Sequence, residues 1–281
     1  MNPIELSEYI SVIISLVALT LGSISDLRTR EVPDKVWAVY APIGLGLTIF
    51  RLFLDPSLLI LTLASVGLSF LIGLGMVFFG LAGGADAKAM MCLGLALPLP
   101  PTIMNPALGF RHPFFPIAVL ATAYICSLSV AFWMLGRNLV QLTLEHVKLF
   151  DGFEKEPRWK KAIALLTGYR TSVERLRQTF YLYPMERVVE DENGARRALE
   201  LYSSPDVDRD QDVAEFSASL QKVGLPASVW VTPGLPLLLF IFLGMLIVLV
   251  LGDPLFGILT LLLSHSVALY PGMVGGFPRQ M

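Results

Sequence analysis

Seven long stretches without a charged residue constrain what this chain can fold into more than any other feature of its sequence. A membrane-spanning helix needs about 20 largely apolar residues, because the hydrocarbon core of a bilayer is about 30 Å thick. The composition, with 54% hydrophobic and 16% charged residues, excludes a disordered chain and argues against a soluble enzyme. The stretches cover residues 9–25, 36–50, 56–85, 89–110, 113–136, 223–252 and 254–278.

The first stretch has the length of a secretory signal peptide, but its flanking charges argue against one. Glu5 and Glu8 stand before it, where a signal peptide carries basic residues, and Arg28 and Arg30 follow it. We therefore expect it to be retained as the first membrane helix.

Lysine and arginine indicate how the chain crosses the membrane, since cytoplasmic loops are enriched in these residues. Arg28, Arg30 and Lys35 follow the first stretch, whereas the loops that hold Asp55 and Arg111 are poor in basic residues. The pattern predicts an all-α polytopic membrane protein with six transmembrane helices and an extracytoplasmic N-terminus, and it places the fourth span at residues 89–99. Aromatic residues near the span ends are expected to anchor the helices at the membrane interface: Trp37, Tyr40, Trp133, Trp230 and Tyr270.

Charge divides the chain into three parts. Most of the 21 Lys and Arg and most of the 23 Asp and Glu lie between residues 137 and 222. We predict a membrane domain at 1–136, a charged cytoplasmic α+β insertion at 137–226, and a C-terminal membrane part at 227–281, in which residues 255–270 form a seventh or re-entrant segment. Strand-like runs at 187–189 and 199–202 predict a β-hairpin within the insertion. The formal net charge of −2 is too small to suggest a nucleic acid as a partner.

Two aspartates lie at the cytoplasmic ends of predicted membrane helices. Asp26 follows the first charge-free stretch and Asp86 follows the third, so the predicted topology brings both to the same face. Carboxylates at membrane depth are costly and are functional candidates by default. Two carboxyl groups that share one proton can hydrolyse a peptide bond, because one deprotonates water while the other protonates the scissile carbonyl. We therefore predict that Asp26 and Asp86 form a catalytic pair, with the acid and base roles unassigned.

The neighbouring residues also allow a structural interpretation of each aspartate. Asp26 could cap its helix end or pair with Arg28 or Arg30, and Asp86 could cap the start of the next helix. The small residues Gly83-Gly84-Ala85 directly precede Asp86. Small residues let either a substrate backbone or a neighbouring helix come close, so both interpretations stay open.

The two aspartate motifs together resemble those of the membrane-embedded aspartyl proteases that process type IV prepilins and archaellins. That family pairs an Asp-x5-[Ile/Val]-Pro motif with a later Gly-x-[Gly or small]-Asp-x-Lys motif. The first motif here is Asp26 followed by Val32-Pro33, and the second is Gly83-Gly84-Ala85-Asp86-Ala87-Lys88. Ala85 departs from the strict Gly-x-Gly-Asp form and matches the looser archaeal one. Residues 229–236 resemble the entry to the late helix of archaeal members, with Gly234 where a basic residue often stands.

The resemblance implies an aspartic endopeptidase of the preflagellin/prepilin peptidase type. Its substrates would be precursors with class III, type IV pilin-like signal peptides, cleaved after a short basic leader at the cytoplasmic face of the cell membrane. Bacterial members usually add a cysteine-rich zinc loop and a methyltransferase activity. This chain lacks that loop, because Cys92 and Cys126 form no CxxC pair, and we expect neither a metal nor a cofactor.

Two further proposals remain alternatives at this stage. Glu31 and Asp34 are hypothesised to attract the basic residues of the leader, although they could equally belong to a solvated polar loop. A proton-coupled membrane transporter could use the same two aspartates as a relay. Transporters, however, usually place their acids near the bilayer midplane, whereas Asp26 and Asp86 lie at the ends of the predicted helices.

Overall fold

The computed structural model describes residues 1–80, 82–143, 149–191, 194–201, 209–223 and 228–269. Two compact units are present, one formed by Met1–Cys126 with Pro236–Met281 and the other by Ser127–Leu235. The domain boundaries predicted from charge, after residues 136 and 226, lie inside the second unit. The helices, in chain order, are α1 (Pro3–Thr29), α2 (Asp34–Leu54), α3 (Leu59–Phe78), α4 (Gly84–Ala96), α5 (Phe115–Thr143), α6 (Arg158–Thr167), α7 (Val173–Gln178), α8 (Arg209–Val223), α9 (Leu237–Leu251) and α10 (Pro254–Leu269). The strands are β1 (Tyr169–Ser172), β2 (Leu182–Pro184), β3 (Glu186–Asp191), β4 (Gly194–Leu199) and β5 (Ser228–Pro233).

Helix α1 illustrates how the helices of the first unit pack. Its buried face consists mostly of small and polar side chains, among them Ser11, Ser15 and Gly22. Large apolar side chains such as Ile13 and Val17 point outward and are more than half exposed. This arrangement suits a helix in lipid, because apolar side chains face the acyl chains and small residues let neighbouring helices approach closely.

The predicted count of six membrane spans is not confirmed. Among the described residues, four helices are long and apolar enough to cross a membrane: α1, α2, α3 with its preceding short 3-10 turn, and α5. Helices α9 and α10 pass the same test only as a pair bent by 57°, which brings the number to five if the pair is one span. The predicted segment at 255–270 corresponds to α10, and residue 270 lies outside the described residues.

The predicted span at 89–99 corresponds to the short helix α4. Its 13 residues extend about 20 Å, less than the hydrocarbon core of a bilayer. Thr48 and Arg51 of α2 donate hydrogen bonds to the carbonyl oxygens of the last two residues of α4. Because an unpaired carbonyl is costly in apolar surroundings, these bonds allow the helix to end there. The following loop reaches Thr102, whose N–H and hydroxyl donate to the buried Glu8 carboxylate at 2.9 and 2.7 Å.

Most of the aromatic residues predicted as interfacial anchors are instead part of the packed interior. Trp37, Tyr40 and Trp230 are 5%, 1% and 0% exposed, so the prediction is wrong for these three. Trp133 is 63% exposed, as an anchor should be. Tyr270 lies outside the described residues.

The second unit is a small α+β structure. Its three-stranded antiparallel sheet has the order β1–β5–β2, and β3 and β4 form a separate antiparallel hairpin. Helices α7 and α8 pack on the sheet through a cluster of buried side chains: Tyr169, Leu176, Leu182, Val213, Phe216, Leu220, Val229 and Val231.

The predicted hairpin is present, but its second strand begins earlier than residue 199. Strand β4 ends at Leu199, and residues 192–193, which join the two strands, lie outside the described residues. Arg197 of β4 is buried and donates to the carboxylate of the buried Glu186 on β3, with 2.6 Å between Nε and Oε2. Because the buried position 197 carries an arginine, strand β4 lacks the alternation of apolar residues that identifies a strand in a sequence. The prediction therefore placed the second strand at residues 199–202, too late in the chain.

Candidate active site

Asp26 lies one turn before the end of α1, in a turn that its neighbours hold firmly. The Arg30 N–H donates to the Asp26 carbonyl oxygen at 3.0 Å, and Arg30 adopts the left-handed conformation that ends the helix. The hydroxyls of Ser25 and Thr29 both donate to the Glu31 carbonyl oxygen, at 2.7 and 3.0 Å. These bonds fix the direction in which the chain leaves α1.

The Asp26 side chain is mostly buried and has a cation beside it. It is 15% exposed, and its Oδ2 lies 3.8 Å from the Arg30 Nη1. The ion pair considered from the sequence is therefore present with Arg30. At this separation the contact is a charge interaction longer than a hydrogen bond, so the carboxyl oxygens keep capacity for a further partner.

Asp86 lies in the first turn of α4, directly after the small residues of its motif. The Gly83 N–H donates to its Oδ2 at 3.0 Å, so Asp86 does bond to the start of its helix, as the structural interpretation expected. A Cβ on Gly83 would lie 3.4 Å from the Asp86 Oδ2, so the missing side chain at Gly83 leaves this carboxyl oxygen uncrowded. A Cβ on Gly84 would meet nothing within 4 Å.

The electrostatics of Asp86 connect it to Asp26. Burial raises the pKa of the Asp86 carboxyl to about 6, and the negative charge of Asp26 adds to this increase. The N–H groups of Gly83 and Leu238 and the charge of Arg30 act in the opposite direction and lower the pKa. The two carboxyl groups thus lie within each other's electric field at one end of the first unit, together with the N-terminus of α9.

The other predicted site residues lie in the turns next to the two aspartates, and some of them have other partners. Lys88 donates to Asp34 Oδ1 at 2.6 Å, which ties the first turn of α4 to the first turn of α2, although both side chains are largely exposed. Asp34 is therefore paired with Lys88, whereas the Glu31 side chain is exposed. Val32 and Pro33 shape the connection, and Pro33 stands directly before α2.

Two buried polar groups near Asp26 were missed by the sequence analysis. Trp37 packs against Gly22, whose added Cβ would lie 3.4 Å from the indole ring, and the indole Nε1 has no hydrogen-bond partner among the described residues. The same holds for the Ser23 hydroxyl, which is buried three residues before Asp26. Their positions in the sequence could have identified them, because Ser23 precedes Asp26 by one helical turn and Trp37 lies one turn into α2.

Metal binding has no visible framework in the described part of the chain. No group of three or more His, Cys, Asp or Glu side chains there is arranged to hold a metal ion. Cys92 is buried and Cys126 is half-buried, and no disulfide joins them.

A helical membrane protein with two neighbouring carboxyl groups at its helix ends has the architecture of a membrane-embedded acid protease. Comparison with known families leads to the same class. The type IV leader peptidase family matches residues 13–134, and the family described as "Archaeal Peptidase A24 C-terminus Type II" matches residues 160–254. The predicted kinship with the type IV leader peptidases is confirmed, and the chain is a peptidase of this kind.

Individual relatives cover nearly the whole chain. A preflagellin peptidase of Methanocaldococcus jannaschii is 27% identical over 256 residues, which are 89% of this chain and 97% of the relative. Preflagellin peptidases of Methanococcus voltae and Methanococcus maripaludis are 26% and 25% identical, over 88% and 87% of this chain and 97% and 96% of the relatives. The similarity therefore includes both compact units.

Proposed function

We propose that this chain is an aspartic endopeptidase that removes the leader peptide from preflagellin (archaellin) and related prepilin-like precursors, with Asp26 and Asp86 as its catalytic pair. The observation that carries the assignment is the mutual electrostatic influence of the two carboxyl groups in a site built from both predicted motifs. The preflagellin peptidases among its relatives support the substrate class. No comparison favours a proton-coupled transporter.

The proposed mechanism uses one shared proton. Asp86 holds it, since burial favours the neutral form of this carboxyl group, and Asp26, whose Oδ2 lies 3.8 Å from the Arg30 Nη1, is assigned the role of the carboxylate. Asp26 takes a proton from a water molecule as the water oxygen bonds to the scissile carbonyl carbon, and Asp86 gives its proton to the carbonyl oxygen. When the C–N bond breaks, Asp26 returns the proton to the leaving nitrogen and Asp86 recovers its own from the hydroxyl group.

The proposed topology puts this site at the cytoplasmic face of the cell membrane and the N-terminus outside. Arg28, Arg30, Lys35 and Lys88 cluster at the end of the first unit that holds Asp26, and such clusters mark cytoplasmic ends. We propose a sixth crossing in which α4 and the loop up to Thr102 together span the membrane, as a single longer helix does in the other crossings. The bonds of Thr102 to Glu8, near the start of α1, support this.

Recognition of the leader is proposed to depend on negative charge beside the site. Glu31 offers an exposed carboxylate next to the Asp26 turn, and it is the simpler candidate of the two predicted acids. Asp34 has to share its charge with Lys88, so a basic leader would compete with that ion pair. The expected consequence is that Glu31→Lys raises KM for precursors with basic leaders and leaves KM for neutral leaders nearly unchanged.

The test of the catalytic pair is a cleavage assay with the purified chain in lipid vesicles and a precursor that carries a basic leader and a hydrophobic helix. Asp26→Asn and Asp86→Asn should each lower the rate by at least about a thousandfold, because each removes one proton-transfer partner. Asp55→Asn, at the far end of α2, is the matched control and should keep full activity, since asparagine also caps a helix start. Full activity in either active-site variant would overturn the proposal.

A further inference from the structure

Helix α6 in the second unit carries an apolar stripe that the described residues of this unit do not cover. Trp159, Ile163 and Leu166 are 59%, 38% and 38% exposed, and Ala162 lies between them on the same face. Their spacing of three and four residues makes one continuous line along the helix. The buried side of α6 is a different one, where Ala164 is 0% exposed and packs with the core around Trp230. The helix is thus apolar on two faces, and among the residues that the structure describes only the Ala164 face has a partner within the unit.

The end of α6 is bonded directly to a membrane helix. Asn138 of α5 is fully buried and donates to the carbonyl oxygens of Leu165 and Gly168, at 2.9 and 2.7 Å. Helix α5 is one of the candidate spans, and the residue before Asn138, Arg137, is the first charged residue after its start. Asn138 therefore lies where α5 leaves the apolar part of the bilayer, and the last turn of α6 lies at the same depth.

The second connection of this unit to the membrane part also begins at α6. The Thr232 hydroxyl of β5 donates to the Thr167 carbonyl oxygen at 2.7 Å, and the apolar helix α9 starts five residues further along the chain, at Leu237. Both routes from the unit towards membrane helices thus start beside the C-terminal turn of α6. The short distance along the chain keeps this turn close to the membrane surface.

An exposed cation lies at the edge of the apolar stripe of α6. This is Arg158, at the start of the helix, about 100° around it from Trp159. Lys160, at the other edge, pairs with Glu156 at 3.2 Å, and Lys161 lies on the opposite side of the helix, with its Nζ over the Phe150 ring. A short helix with an exposed apolar stripe that includes a tryptophan, and with an exposed cation at its edge, has the pattern of a helix that lies in the interface of a bilayer containing anionic lipids.

We propose that α6 lies on the cytoplasmic surface of the bilayer, with Trp159, Ile163 and Leu166 inserted at the boundary between headgroups and acyl chains. Arg158 contacts the phosphates of anionic lipids. The occupant of the stripe is therefore lipid, and not a second protein. The inference does not depend on the peptidase activity, because it concerns only the second unit and its attachment to α5.

The experiment measures the surroundings of the stripe in the full-length protein. The two native cysteines are replaced (Cys92→Ala, Cys126→Ala), and one cysteine is introduced by Ile163→Cys and labelled with a nitroxide. The matched control is Ala214→Cys on the exposed face of α8. The protein is reconstituted in nanodiscs of neutral lipid with and without anionic lipid, and collisions of the nitroxide with oxygen and with a water-soluble nickel chelate are compared.

The proposal expects the Ile163→Cys label to collide mainly with oxygen, which concentrates in lipid, and the Ala214→Cys label mainly with the chelate. Anionic lipid should increase the oxygen preference at Ile163→Cys only. Two results would overturn the proposal: chelate accessibility at Ile163→Cys equal to that of the control, which means water, or protection from both reagents, which means that protein covers the stripe. Both readouts are independent of cleavage activity, so failure of one proposal leaves the other standing.

Discussion

The pH dependence of cleavage tests the electrostatics of the proposed pair most directly. If Asp86 holds the shared proton with a pKa of about 6, then about 90% of it is protonated at pH 5 and about 10% at pH 7. The direction follows from the role: deprotonation removes the acid that the carbonyl oxygen needs, so kcat/KM falls as pH rises through 6. We expect a decrease of about tenfold between pH 5 and pH 7.

A single substitution should move this profile in a known direction. The Arg30 cation lowers the pKa of Asp86, so Arg30→Gln should displace the alkaline limb to higher pH. Lys35→Gln removes a cation at the start of α2 that does not influence the pKa of Asp86, and it is the matched control. The assay measures kcat/KM in vesicles from pH 4.5 to 8 with a precursor that has no ionisable residue beside the scissile bond. A flat profile between pH 5 and 7, or a limb that stays in place in Arg30→Gln, would refute the reasoning.

Further predictions concern packing, access and the second unit. Gly44→Ala should lower the melting temperature and the cleavage rate together, because its Cβ would lie 2.7 Å from the Cβ of the last residue of α4, whereas Gly46→Ala on the same helix meets nothing within 4 Å and should change neither. Gly83→Leu should lower kcat/KM at least about tenfold, because its Cβ would lie 3.4 Å from the Asp86 Oδ2 and the rest of the side chain would crowd this carboxyl group, whereas Gly84→Ala, whose Cβ meets nothing within 4 Å, should change neither kcat/KM nor the melting temperature. Glu186→Gln should destabilise the fold by about 3 kcal/mol in thermal unfolding, since it leaves the buried Arg197 charge without its partner, and the double variant with Arg197→Met should recover most of that loss. An unchanged melting temperature in Glu186→Gln would show that the ion pair contributes little.

The candidate aspartate site could be proposed from the sequence because the residues that position each aspartate are close to it in the chain. Each aspartate stands within a few residues of the features that position it: Asp26 before the turn that ends at Pro33, and Asp86 behind Gly83. Such short-range patterns can be recognised in the sequence without knowledge of the tertiary structure. The contribution of the Leu238 N–H could not be foreseen, because it comes from a helix that begins about 150 residues later in the chain and approaches only after folding.

The errors in the predicted fold have a common physical cause. Hydropathy measures the apolar content of a segment, but it does not show whether the segment forms one continuous helix across the whole membrane. Residues 89–99 were therefore taken for a full span, although the helix ends at Ala96 and side chains of α2 satisfy its terminal carbonyls. The aromatic residues were misplaced for a related reason: proximity to a span end does not reveal whether Trp37 faces lipid or the packed turn at Gly22.

The value of the Asp86 pKa reflects two opposing influences, and their balance suits the proposed reaction. The N–H groups of Gly83 and Leu238, at the starts of two helices, favour the carboxylate, as a helix N-terminus generally does. Burial and the nearby charge of Asp26 favour the neutral acid and outweigh them. An acid with an ordinary pKa of about 4 would be only about 0.1% protonated at pH 7, whereas a pKa of about 6 leaves about 10% of Asp86 protonated. A carboxyl group whose pKa is raised much further would hold its proton too tightly to release it during the reaction. A pKa of about 6 lies between these limits, so Asp86 can both donate its proton to the carbonyl oxygen and recover it within one turnover.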